Sequence, residues 1–401
     1  MHINRTVIEN LRKEYGEAFY LLDSNQFRKN FLELKEAFSS IYPNFNIAYS
    51  YKTNYTPKFC KIVNELGGYA EVVSEMEMEL ALRCGVEHSR IIWNGPIKDR
   101  EKMSKFLLAG GTINIDSISE AEFINKLAAK ADHKLNVGIR CNYDVGDGVT
   151  SRFGLDVDGQ DFKKALEIVT TNPNLHFINF QCHFAKRQIE YWPARAKGMV
   201  ELLNRIGVIP ERVDIGGGLF GKMTDSLKSQ FASEIPDYRE YAAAAATVFA
   251  EYFEKKENKP ELIIEPGSAV VGDCMKFVGT VKTIKSVRGK YFASVLGSQK
   301  NISMTGINPP MEVVHMSDGE NYDDLDLVGF TCIEDDVLFK NYSGKLAIND
   351  AIVISNCGSY SLVMKPPFIL PNFPVLDICG EEVEVIKIAE TFDDIFHTFN
   401  Y

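Results

Sequence analysis

Lys52 closes the stretch Tyr49-Ser50-Tyr51-Lys52, directly after the apolar run Phe45 to Ala48, and so sets a primary amine at the end of a strand-like segment. A lysine on its own is ordinarily solvated surface charge. Three later segments end in groups that complement an amine. His183, in Gln181-Cys182-His183-Phe184, offers a flat imidazole that could stack on a ring; alone it reads as a core histidine. Gly216-Gly217-Gly218 follows Val213-Asp214-Ile215. Consecutive glycines let backbone N–H groups approach an oxyanion such as phosphate, although a bare triple glycine also makes a tight turn. Glu265-Pro266-Gly267 ends an apolar run with a carboxylate, suited to a capped turn or to keeping a ring nitrogen protonated. An amine, a stacking ring, a phosphate cradle and a carboxylate together describe a site for pyridoxal 5'-phosphate. The lysine forms a Schiff base, and the carboxylate keeps the ring able to accept electrons.

The elements that must carry these groups alternate regularly. Strand-like runs fall near 45–51, 70–73, 90–93, 112–116, 135–141, 176–183, 211–215 and 261–265, with helix-period segments between them. In Pro57 to Leu66, for example, Phe59, Ile62, Val63 and Leu66 share one face. Such alternation implies a parallel sheet with right-handed crossovers. Eight units predict a (β/α)8 barrel with its site at the C-terminal strand ends, an open doubly wound sheet being the alternative. Beyond about residue 274 the runs are short, β-rich and punctuated by Gly and Pro, as in an antiparallel β domain. The expected division is a barrel over 28–274 and a β domain built from 1–27 and 275–401, the strand near Tyr20 being free to join the latter.

Bulk properties narrow the function classes. The 401 residues are 45% hydrophobic and 25% charged, with 44 basic against 55 acidic side chains and a formal charge of −11. That composition is globular, and the charge argues against broad nucleic-acid binding. The eight cysteines are scattered without metal-ligand spacing, so neither a zinc site nor a disulfide framework is expected. No run approaches the ~18 apolar residues of a membrane span, and the N-terminus lacks a signal-peptide core. A reduced, cytoplasmic setting with a small-molecule substrate is the expectation.

Several ordered motifs then carry a resemblance. They are Tyr51-Lys52-Thr53-Asn54, Glu71-Val72-Val73-Ser74 with Glu77, Asn94-Gly95-Pro96, Asp116-Ser117 with Glu120, Ser151-Arg152-Phe153-Gly154, His183, Gly216 to Gly218 and Glu265-Pro266-Gly267. Further on come Gly329 to Asp336, containing Cys332, and Cys357-Gly358-Ser359-Tyr360. In this order they resemble the fold type III pyridoxal-phosphate decarboxylases of amino acids, the diaminopimelate and ornithine decarboxylase group. The resemblance implies that Lys52 holds the cofactor and that His183 stacks on its ring. It also implies that Gly216, Gly217, Gly218, Gly267 and Tyr360 belong to the cofactor site, and that Glu265 meets the ring nitrogen. Cys332 would protonate the carbon that loses CO2, reaching into the partner subunit of a homodimer with shared active sites.

The departures from that family concern the substrate. The acid usual after the catalytic cysteine is replaced by Ile333, with Glu334 displaced by one residue, which in an extended segment turns it to the opposite face. Ser268 stands where an arginine commonly follows Glu-Pro-Gly, and Asn308-Pro309 where an Arg-Pro pair is usual. A bidentate arginine is the natural clamp for a distal carboxylate. Phe184-Ala185-Lys186 replaces a small Gly-Ser step, leaving Lys186 to aid the phosphate, pair with the substrate or face solvent. The expectation is a decarboxylase of a specialised amino acid other than meso-diaminopimelate. An amino acid racemase of the alanine type and a non-catalytic cofactor-binding homologue are the alternatives.

Overall fold

The computed structural model describes residues 3–302, 308–365, 367–379 and 382–401, without the side chain of Cys379. Asn4 accepts the N–H of Val7 and caps the helix Arg5–Tyr15. Strand β1 (Phe19–Leu22) follows, and the helix Ser24–Ser39 leads into the alternating region. There the strands are β2 (Phe45–Ser50), β3 (Tyr69–Val72), β4 (Ile91–Trp93), β5 (Thr112–Ile115) and β6 (Leu135–Asn142). The two-residue β7 (Leu155–Asp156) lies beside β6, and β8 (Leu175–Gln181), β9 (Arg212–Asp214) and β10 (Glu261–Ile264) complete the set.

Eight of these strands close on themselves. The parallel order runs β5-β4-β3-β2-β10-β9-β8-β6, and β6 returns to pair with β5 through Thr112↔Asn136 to Ile115↔Ile139. Closure distinguishes a barrel from the open sheet, which would leave two edges unpaired. Strand β2 is buried at every position, as expected of a parallel strand covered on both faces. The helices start where short polar side chains cap them. Ser74 accepts from Glu77 N–H, Asp99 from Glu101 and Lys102, and Ser117 from Glu120. At two tips the capping glutamate also reaches back: Glu77 accepts from Val73 N–H at 2.7 Å and Glu120 from Asp116 N–H at 2.9 Å. These Ser-x-x-Glu steps fix the turn at which each strand ends.

The second sheet contains β1 and the strands after the barrel: β11 (Met275–Val287), β12 (Lys290–Val295), β13 (Met311–Val314), β14 (Glu320–Val328), β15 (Val337–Leu346), β16 (Ala351–Ile354), β17 (Val375–Cys379) and β18 (Glu382–Lys387). Its order is β15-β14-β12-β11-β1-β17-β18, with β16 bridging β11 and β13. All pairs are antiparallel except β1/β17 and β12/β14. Its core includes Ile8, Leu11, Phe19, Leu21, Val278, Val353 and Leu376.

Two compact units result. One is Lys29–Phe220 with Ile235–Ala269, and the other gathers the described residues of Met1–Arg28, Gly221–Glu234 and Val270–Tyr401. The excursion Gly221–Glu234 goes with the β unit, where Gln230 donates to the Asn308 carbonyl at 2.9 Å and Asn356 to the Lys222 carbonyl at 3.2 Å. No helix among the described residues is long and apolar enough to cross a membrane.

Candidate active site

Strand β2 ends in the single 3-10 turn Tyr51–Thr53, which carries Lys52. Lys52 Nζ lies 2.5 Å from Glu71 Oε2, the same oxygen that accepts from Ser50 Oγ. Glu71 is 1% exposed and projects from β3. Its other oxygen accepts from Asn94 Nδ2 at 3.1 Å, and that amide nitrogen also donates to Glu265 Oε1 at 2.6 Å. One carboxamide thus spends its two N–H groups separating two buried carboxylates. Asn94 Oδ1 in turn accepts from Asn114 at 2.7 Å, and Asn114 Oδ1 from Asn179 at 3.0 Å, so the network has a polar floor inside the barrel.

The charges settle accordingly. Burial works to lower the Lys52 pKa, but Glu71 and Glu265 outweigh it and hold the ammonium above its ordinary range. Burial likewise opposes ionisation of Glu71, yet Lys52, Ser50 and Asn94 pull its pKa below the usual carboxylate value. Glu265 ends higher than usual, from burial first and the charge of Glu71 second.

His183 and the glycine turn are locked together. The Gly217 N–H donates to His183 Nδ1 at 3.0 Å, so that nitrogen carries no proton and the ring is the neutral tautomer protonated at Nε2. Burial, reinforced by Lys52, Arg195, Arg140 and Arg187, holds the imidazole pKa well below its normal value. Gly216 has φ 72°, and a Cβ on Gly217 would lie 2.2 Å from the Glu265 carbonyl oxygen. Only glycine permits both the left-handed backbone and that approach. Gly267 is required by close approach alone, since a Cβ there would lie 2.0 Å from Thr53 Oγ1, beside Lys52.

Comparison with known proteins decides what this geometry belongs to. The family described as "Pyridoxal-dependent decarboxylase, pyridoxal binding domain" matches residues 25–272, more than half of the sequence. The chain belongs to that family. It is a pyridoxal-phosphate-dependent carboxy-lyase, and the racemase and non-catalytic alternatives are not retained. A diaminopimelate decarboxylase of Aquifex aeolicus is 24% identical over 98% of this chain and 94% of its own length. Among solved structures, a diaminopimelate decarboxylase from M. jannaschii superposes with a TM-score of 0.84 at 22% identity, covering 98% of this chain and 94% of that one. One from Helicobacter pylori complexed with L-lysine gives 0.81 at 22% identity, covering 97% and 98%. At such identities the structural likeness speaks for the fold alone.

These relatives overturn the expectation that this decarboxylase stands apart from the diaminopimelate enzymes. The expectation rested on two absent arginines and a displaced acid, and the structure weakens both arguments. Guanidinium groups remain on β6 and in the loop that follows it: Arg140 and Arg152 lie 4.6 and 4.0 Å from the Phe153 ring, and Arg140 pairs with Asp116 at 3.3 Å. The segment after Cys332 is a turn rather than an extended strand. Asp336 gathers Thr331 Oγ1 at 2.6 Å, Ser298 Oγ at 3.0 Å and Gln299 N–H at 2.7 Å, and its own N–H closes back on the Ile333 carbonyl. Strand alternation therefore does not govern where Ile333 and Glu334 point. Asn308 has a structural occupation, its side chain pairing with both the N–H and the carbonyl of Lys340.

The barrel residues fit pyridoxal phosphate. A paired lysine, a neutral imidazole and a buried carboxylate converge with a glycine turn in which close approaches exclude a Cβ at Gly216 and Gly217. Lys52 would hold the aldehyde end, the turn the phosphate and Glu265 the ring nitrogen. Ser268 opens the short helix Ser268–Val271, and Lys186 contributes its carbonyl to Arg195 at 3.4 Å. In the β unit Cys332 is exposed, as are Ile333 and Glu334, whereas the other described cysteines are buried. Tyr360 is half-buried with φ 63°, an unusual conformation for a bulky residue and one that marks candidate functional positions.

The sequence reading assigned no role to Glu71, Asp214, Gln181 or Arg195, all buried around the site. Glu71 and Asp214 were legible in principle, as carboxylates inside apolar strands. Arg195 sits on the helix Trp192–Ile206 amid ordinary helical residues, and nothing local distinguishes it.

Proposed function

We propose that this enzyme decarboxylates meso-diaminopimelate or a closely similar diamino dicarboxylate, giving lysine from meso-diaminopimelate. The observation that carries the reading is the continuous network Lys52–Glu71–Asn94–Glu265 beside the His183-linked glycine turn. The names of the relatives supply the substrate class. Bound pyridoxal phosphate supplies the electron sink for loss of the α-carboxylate. The chain's residues do the rest. Glu71 Oε2, in contact with Lys52 Nζ, holds that nitrogen in place at the end of β2 and keeps it an ammonium until the cofactor site is filled. His183, neutral and fixed through Nδ1, presents a flat face without adding charge. Glu265 stands ready to keep a ring nitrogen protonated.

The same reading assigns the proton returned to the α-carbon to Cys332 of the partner subunit. Its support is the exposure of Cys332 in a single chain and the family resemblance of its segment. The protein is then a homodimer with shared sites, and the free thiols suit a cytoplasmic setting. Purified protein supplied with pyridoxal phosphate and meso-diaminopimelate is expected to release CO2 and form lysine in equal amounts. Release from lysine, ornithine or arginine alone would replace the substrate assignment. For the shared site, Lys52→Ala and Cys332→Ala chains are each expected to be inactive, and their unfolded-and-refolded mixture to recover about a quarter of wild-type activity, as random pairing into two-fold dimers requires. No recovery from correctly folded mixed dimers would confine each site to one chain.

A further inference from the structure

Arg195 is a buried cation that the chemistry above leaves unused. It is 0% exposed, and its guanidinium donates to the carbonyls of Gly217 at 2.6 Å, Ile215 at 3.3 Å, and Phe184 and Lys186 at 3.4 Å. Those carbonyls come from the glycine turn and from the segment after His183, so one side chain ties together both stretches that flank the imidazole. Trp192 packs 4.3 Å from the guanidinium, and Tyr143 OH donates to the Arg195 carbonyl at 2.6 Å, fixing the helix that carries it. No carboxylate forms an ion pair with Arg195 among the described residues; Glu265 acts on it only at longer range. Burial lowers its pKa, but a guanidinium remains charged in a folded protein.

Peptide planarity gives this arrangement a direction. In a trans peptide the carbonyl and the following N–H point oppositely. With the Gly217 carbonyl turned onto Arg195, the Gly218 N–H is turned away from it. The Gly216 N–H is held by Asp214 at 2.8 Å and the Gly217 N–H by His183, whereas the Gly218 N–H has no partner among the described residues. The Phe184 and Lys186 carbonyls impose the same sense on the N–H groups of Ala185 and Arg187. A set of outward-turned N–H groups backed by an unpaired positive charge is an anion seat.

We propose that Arg195 is a positioning residue for the phosphate of the cofactor. It aims the main-chain donors of Gly218, Ala185 and Arg187 and supplies, from behind them, the fixed positive charge that the dianion needs. Phe184-Ala185-Lys186 presents no hydroxyl and Ser268 no guanidinium, and Arg195 adds its charge from behind the donors without touching the ligand. The inference rests on the glycine turn being the phosphate's seat.

The test compares pyridoxal phosphate with pyridoxal, which lacks the phosphate, by equilibrium dialysis against full-length protein stripped of cofactor. Wild type is expected to bind pyridoxal phosphate much the more tightly. Arg195→Met is expected to lose roughly ten- to a hundred-fold in affinity for pyridoxal phosphate, the scale of one charge acting at short range in a protein interior, while binding of pyridoxal is nearly unchanged. Arg195→Lys, which keeps the charge without the planar fork, is expected to restore part of the preference. Equal weakening of both ligands in Arg195→Met would make the residue structural only, and an unchanged preference would remove it from the phosphate site; either overturns the proposal. Should Arg195→Met fail to fold, Arg195→Gln, neutral but still a donor, gives the same comparison. A wild type without preference for the phosphate would instead refute the glycine-turn seat, and the proposal with it.

Discussion

Lys52→Ala is expected to abolish the covalently held cofactor and to lower kcat by at least about a thousand-fold, the scale of losing a nucleophile and a positioned proton carrier together. Borohydride reduction and peptide mass spectrometry should find the cofactor on Lys52 of the wild type and on no residue of the variant. Retained labelling elsewhere with retained activity would place the reacting amine away from the turn that follows β2. A second signature follows from Glu71, which is 1% exposed. In the wild type its pKa lies below the ordinary value because Lys52, Ser50 and Asn94 overcome burial. A depressed carboxylate pKa contributes stability above the unfolded-state value, and that contribution is lost as the pH falls through the folded-state value. Without Lys52 burial dominates and the shift reverses. The variant's carboxyl then contributes stability at low pH and loses it as the pH rises. Relative to wild type, Lys52→Ala should therefore lose more Tm at pH 8 than at pH 5. A difference constant across that range would mean that Lys52 and Glu71 are not coupled in solution.

What could be read from the sequence, and what could not, separates along the same residues. The eight strands were legible because each is a short apolar run between helix-period segments, and the parallel barrel follows from that alternation. Lys52, His183, Gly216 to Gly218 and Glu265 were legible because each ends one of those runs. The pairing of Lys52 with Glu71 was not. It depends on how far the β2 and β3 tips are staggered, set by the register Ser50↔Glu71, and no local pattern encodes that register. The tautomer of His183 was hidden for a related reason, since it is imposed by Gly217 from 34 positions away. The orientation of Ile333 and Glu334 was hidden because Asp336 draws their segment into a turn where the residue pattern suggests an extended strand. The two positions without arginine are not the whole supply of cations. A barrel collects side chains from eight tips, and Arg140 and Arg152 come from places where no clamp was sought.

Glu265→Gln should separate function from stability in opposite directions. Glu265 is 3% exposed, and its Oε1 accepts from Asn94 at 2.6 Å and Gln181 at 3.1 Å. Glutamine can present its oxygen to those two donors, so the fold need not change. What it cannot do is hold a full negative charge. The expected result is a fall of about 10²- to 10³-fold in kcat, comparable to removal of one preorganised electrostatic group, with the cofactor still attached to Lys52. Stability should move the other way. Burial and the charge of Glu71 raise the Glu265 pKa above its unfolded value. A raised carboxylate pKa gives a contribution present below the unfolded-state value and lost as the pH rises through the folded-state value, so the ionised group weighs against the fold near neutrality. Glutamine removes that penalty. The Tm of Glu265→Gln should meet or exceed that of wild type at pH 8, with the advantage shrinking towards pH 5. Lower activity with a higher Tm would identify Glu265 as a charge kept buried for chemistry at the expense of stability. A variant that lost both together would make it a structural carboxylate, and the partner of the ring nitrogen would have to be sought elsewhere in the network.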